Sequence, residues 1–163
     1  MRRDNMYVSI PCDLFKGNSL ILGVGSPLRS DDRAGLVLCD SLNQSGVHCV
    51  KCEYGLENCI DVILEKKPEK LIVIDTAFFN RGQPGDIILL DDTRALANTL
   101  LLTTHNIPPR LLINTIRELT PLREVYIIGI YPANLDIGVD ISSQVSRAIN
   151  TLVEDIVKCF KNI

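Results

Sequence analysis

The sequence predicts an α/β protein: a three-layer α/β/α sandwich built on a mostly parallel five-stranded sheet with one antiparallel strand. Three observations predict it. Apolar runs of strand length alternate with amphipathic helical stretches along almost the whole chain. The runs are apolar on both faces, as strands held between two helix layers must be. One connection, Asn80-Arg81-Gly82-Gln83-Pro84-Gly85, is turn chemistry too short for a helical crossover, so the strand after it reverses direction.

The elements follow in order. Ser19-Leu20-Ile21-Leu22-Gly23-Val24-Gly25 is the first strand, and a helix over about 33–43 follows it, with Ala34, Leu38 and Leu42 four apart and Gly46 at its end. Residues 47–53 read as the second strand, and 57–66 as a second helix that carries Ile60, Ile63 and Leu64 and stops before Pro68. Lys70-Leu71-Ile72-Val73-Ile74-Asp75 is the third strand and 86–90 the fourth. A short helical stretch near 93–98 precedes the run at 100–106, and Pro108 and Pro109 suit the first turn of a third helix striped by Leu112, Ile116 and Leu119. Residues 124–131 form the fifth strand, and a closing helix over about 142–161 sets Val145, Ile149, Leu152, Ile156 and Phe160 on one face. Residues 1–18 read as an N-terminal arm on a single domain spanning 1–163.

Composition narrows the function classes. A chain of 163 residues, 46% hydrophobic and 23% charged, fits one domain that buries roughly 70% of its unfolded surface. Seventeen Lys plus Arg against twenty Asp plus Glu leave no basic excess for a nucleic-acid partner. No apolar run approaches the ~18 residues that membrane insertion requires. The charged Met1-Arg2-Arg3-Asp4 leads into no apolar signal core, so the expected location is cytoplasmic. The six cysteines lie mostly inside apolar runs and read as small buried thiols in a reducing compartment rather than as a disulfide framework. Cys49-Val50-Lys51-Cys52 has the spacing of a metal or redox pair, but on a strand residues three apart face opposite ways.

Ligands of parallel sheets bind at the carboxyl ends of the strands, and three segments there carry polar chemistry. The first is the loop from Gly23 to Gly35; Leu28 occupies the place of the third glycine of a dinucleotide fingerprint, which disfavours a nucleotide site. Asp31 and Asp32 sit at the helix start, where capping uses one acid and leaves the other for a site. Asp75, a poor strand residue, closes the third strand, and taken alone it also suits a turn. The third segment is Thr103-Thr104-His105-Asn106. The third helix must descend before the parallel fifth strand can rise, so His105 is delivered to the edge that holds Asp32 and Asp75. Two carboxylates and an imidazole form an oxygen–nitrogen ligand set for nickel, zinc, manganese or iron, and such an ion supports hydrolysis. Neither a G-x-S-x-G nucleophile elbow nor an H-E-x-x-H zinc motif is present.

The motifs G-V-G-S-P-L-R-S-D-D at 23–32, L-I-V-I-D-T-A at 71–77, P-G-D-I-I-L-L at 84–90, T-T-H-N at 103–106 and G-I-Y-P at 129–132 resemble, in order and spacing, the NiFe hydrogenase maturation endopeptidases. The likeness covers about 19–160, and T-T-H-N points to the branch that processes the hydrogenase of formate hydrogenlyase. The resemblance implies that Asp32, Asp75 and His105 are the metal ligands and catalytic-site residues. It implies that the partner is a NiFe hydrogenase large-subunit precursor, whose C-terminal extension is cut off after nickel insertion. The nickel then belongs to the substrate and serves as a checkpoint, and the isolated enzyme need not carry it. Ser26, Arg33 and Tyr131 depart from the usual Asn, Gly and Gln of the family; Arg33 adds charge and bulk beside the cleft. The rival expectation from another class is a non-catalytic α/β module that binds a nickel-loaded partner or a small ligand.

Overall fold

The structure, a computed structural model, describes residues 7–91 and 109–162. Its strands are β1 (Ser19–Gly25), β2 (Val50–Glu53), β3 (Lys70–Thr76), β4 (Ile87–Asp91) and β5 (Glu124–Ile130), and its helices α1 (Ala34–Gln44), α2 (Ile60–Lys66), α3 (Pro109–Leu119) and α4 (Ser143–Lys161). The sheet order is β2-β1-β3-β5-β4. β2, β1, β3 and β5 are parallel, while β4 runs antiparallel to β5 with Ile87 opposite Ile130. The expected sandwich and its single reversed strand are both present. The reversal is fixed in the turn before β4, where the buried Asp86 accepts the Gln83 N–H through Oδ2 at 2.9 Å.

Strand periodicity divides the core between two faces. Ile21, Ile72, Ile74, Ile128 and Ile130 pack with α1 and α4 on one side. Leu20, Leu22, Val24, Leu71, Val73, Val125 and Ile127 pack with Ile63 of α2 and with Ile113 and Ile116 of α3 on the other. Runs that look uniformly apolar in the sequence therefore serve two cores at once.

Several elements differ from the sequence reading. The second strand begins at Val50 instead of residue 47. Upstream of it, the Val47 N–H bonds back to the Leu42 carbonyl and Gly46 N–H to that of Asn43, which closes α1. The Asn43 side chain meets both backbone groups of Cys49, so that residue needs no strand neighbour. The second helix starts with a 3-10 turn, Leu56–Cys59. In α3 the buried pair is Ile113 and Ile116, and Leu119 is exposed. In α4 Cys159 is buried and Phe160 lies outward against Phe15, with ring centroids 5.5 Å apart. The N-terminal arm joins the core through Ile10, Leu14 and Phe15. The helical stretch expected near 93–98 and the run at 100–106 lie outside the described residues.

The cysteines require a larger correction. All six are paired, as Cys12–Cys159, Cys39–Cys49 and Cys52–Cys59. Apolar surroundings suit a buried disulfide as well as a buried thiol, which is why burial misled the sequence reading. Cys49 and Cys52 do turn away from each other, each to a different partner, so their spacing makes no metal or redox pair. Cys12–Cys159 spans a sequence separation of 147 residues and restrains the unfolded chain by about 5 kcal/mol on the loop-entropy scale. Two outcomes are expected. Thiol titration of the denatured, unreduced protein should find no free thiol, and Cys12→Ser should lower the guanidinium unfolding free energy by about 2–5 kcal/mol. Six titratable thiols would contradict the pairing.

Candidate functional site

The carboxyl edge of the sheet is built by close backbone contact. A Cβ on Gly35 would overlap the carbonyl oxygens of Val24 and Ile74, and one on Gly25 would overlap that of Asp32. Glycine at these two places lets the first turn of α1 lie directly on β1 and β3. The glycines of the loop thus serve helix–sheet packing and not a phosphate. The preceding 3-10 turn, Ser30–Arg33, carries both acids, each fully buried.

The two aspartates have separate tasks. Asp31 Oδ2 accepts the N–H groups of Ala133 and Asn134 at 2.8 and 3.0 Å and the Ser142 hydroxyl at 2.9 Å, while Oδ1 accepts the Ser142 N–H at 2.7 Å. Ser142 Oγ in turn caps α4 by accepting from Val145 N–H. One carboxylate therefore ties the loop after β5 and the start of α4 to the turn before α1. Asp31 thus joins segments instead of capping a helix start, and the N-cap residues of the 3-10 turn and of α1, Arg29 and Arg33, make no side-chain cap bond. Arg29 Nε donates to the Leu135 carbonyl and Arg33 to that of Val139, which reinforces the same seam. The charge and bulk that Arg33 adds are thus used to hold a loop. Leu28, Ile137 and Val139 remain exposed on the two joined segments.

Asp32 faces the other way. Its Oδ1 accepts the hydroxyl of Thr76, the last residue of β3, at 2.5 Å. The Thr76 N–H donates to Asp75 Oδ1 at 2.8 Å. Thr76 and Asp75 are 1% and 4% exposed, so both candidate acids meet on one residue in a dry setting where a carboxylate is a strong acceptor. Beyond Thr76 the Tyr131 ring packs edge-on against Phe78 and Phe79 at 5.4 and 5.2 Å, which accounts for an aromatic residue at that departure from the family pattern. Ser26, the third departure, donates its N–H to the Asp32 carbonyl at 3.1 Å, a backbone contact that any residue but proline makes.

The structure thus brings Asp32 and Asp75 together at the predicted edge. His105 lies outside the described residues, among which no group of three His, Cys, Asp or Glu side chains is placed to hold a metal. Sequence reasoning missed Thr76 and the clamp made by Asp31. A hydroxyl residue directly after a strand-terminal acid was the available signal for the first; the second depends on a partner more than 100 residues away and left none.

Comparison with known proteins gives a consistent picture. The family model for hydrogenase maturation protease, HycI, matches residues 55–159, a span that includes Asp75 and begins after Asp32. The Hydrogenase 3 maturation protease of Escherichia coli K12 is 27% identical over 138 residues, 83% of this chain and 86% of that protein. The [NiFe] hydrogenase maturation protease HycI from Thermococcus kodakarensis superimposes with a TM-score of 0.78 at 25% identity, over 92% of this chain and 97% of that one. The fold also matches the endopeptidase HycI from Escherichia coli, with a TM-score of 0.73 at 24% identity over 87% and 90% of the two chains.

The clamp makes a specific expectation. Asp31→Asn places an amide NH2 or a single acceptor oxygen where several donors converge, leaving a buried donor unmet at a cost of about 1–3 kcal/mol. Urea unfolding should show that loss, and hydrogen exchange should show faster opening at the amides of residues 133, 134 and 142. Unchanged exchange there would contradict the clamp.

Proposed function

The chain belongs to the hydrogenase maturation protease family and is a peptidase, and from that premise we propose that it cuts the C-terminal extension from a NiFe hydrogenase large-subunit precursor. The observation that carries this reading is the meeting of Asp32 and Asp75 on Thr76 at the carboxyl edge of the sheet. In this reading nickel arrives on the precursor and is part of the substrate. Asp32, Asp75 and His105 recognise it, and that recognition holds the scissile bond in place. Carboxylates and an imidazole suit a borderline divalent ion such as nickel. Hydrolysis then bonds a water oxygen to the scissile carbonyl carbon; a carboxylate of the pair takes the water's proton, and the departing amine receives it. No covalent intermediate is needed.

We place the reaction in the cytoplasm. No helix among the described residues is long and apolar enough to cross a membrane, and composition offers nothing to nucleic acid. Three disulfides are compatible with that placement where intracellular proteins are disulfide-rich, as in hyperthermophiles.

The test is the mass of the precursor after incubation with wild type or variant. Asp32→Asn, Asp75→Asn and His105→Ala should each abolish release of the C-terminal peptide while leaving the far-ultraviolet circular dichroism spectrum intact. Near-normal cleavage by any one of the three removes that residue from the assignment. Binding of the precursor by wild type without any change in its mass would favour a non-catalytic module instead.

A further inference from the structure

Thr76 touches both acids, and its two bonds are of different kinds. Its backbone N–H on Asp75 would be present with any residue but proline at this position. Its hydroxyl on Asp32 belongs to the side chain: Oγ1 to Oδ1 is 2.5 Å, at the short end for a charge-assisted O–H bond to a carboxylate. A hydroxyl has a single proton to donate, and here it is committed to Asp32. The placement follows from strand parity. Thr76 continues the Ile72 and Ile74 face, which lies under α1, and the glycine contacts described above lower the Asp32 turn onto that face.

We propose that Thr76 is a positioning residue, whose hydroxyl fixes the orientation of the Asp32 carboxylate toward the bound precursor. This rests on the proposed role of Asp32. Asp32 serves both recognition of the nickel and placement of the scissile bond, so loss of the donor that orients it lowers kcat/KM. Valine keeps the shape of threonine and removes the donor, whereas serine keeps the donor and removes a methyl group.

Thr76→Val and Thr76→Ser therefore form the test, in two readouts. With nickel-loaded precursor, Thr76→Val should lower kcat/KM by about tenfold or more, and Thr76→Ser should recover most of the loss. Equal activity in Thr76→Val and wild type, or equal losses in the two variants, overturns the proposal. Crystal structures of both variants read the same claim without substrate. The Asp32 carboxylate should keep its orientation in Thr76→Ser and rotate in Thr76→Val; an unmoved carboxylate in Thr76→Val also overturns the proposal. A wild-type protein that cleaves no precursor would remove the proposed function, and the crystallographic comparison would still decide whether Thr76 orients Asp32.

Discussion

The first turn of α1 rests on the sheet with backbone against backbone, Gly35 over the carbonyls of Val24 and Ile74 and Gly25 against that of Asp32. That contact sets the position of Asp32 at the carboxyl edge. It brings a buried aspartate from the loop after β1 to the end of the neighbouring strand β3, where Thr76 and Asp75 wait. A side chain at either glycine would separate the two layers, and protein interiors are too densely packed to absorb such a displacement without loss of register. Precise placement of acids thus begins with residues that have no side chain.

Around that contact the protein divides its charges by task. Asp31 spends its carboxylate on the loop after β5 and the start of α4, and Arg29 and Arg33 complete the seam. Asp32, its neighbour in sequence, is left to face β3. Adjacent acids at a helix start are costly to bury unless each is well provided with donors, and the structure provides them from opposite directions. The disulfides act farther out: Cys39–Cys49 and Cys52–Cys59 hold the β2 side of the sheet, and Cys12–Cys159 joins the N-terminal arm to the last helix.

Much of this was legible in the sequence, and the failures have physical causes. Apolar runs of strand length and the short turn before β4 were sufficient for the sandwich and its reversed strand, because both depend on local periodicity and chain reach. That an acid of the first loop and Asp75 share one edge of the sheet was legible because acids are out of place beside apolar strands. Thr76 was missed although it directly follows a strand-terminal acid, since threonine is an ordinary strand residue and its hydroxyl does not name its partner. The division between Asp31 and Asp32 was invisible for a similar reason: only the fold brings Ala133, Asn134 and Ser142 to one of them. The cysteines misled because apolar context reports burial and says nothing of oxidation state. His105 was placed by topology, and it falls in the part of the chain between β4 and α3 that the described residues do not include.

We propose that this edge of the sheet recognises nickel on a precursor and cuts that precursor. It is tested most directly by the mass of a hydrogenase large subunit, measured before and after incubation with the purified protein, in nickel-loaded and nickel-free forms. The loaded form should lose a single C-terminal peptide and the other should not change. Equal cleavage of both forms would contradict nickel recognition, and cleavage of neither would contradict the assignment of substrate.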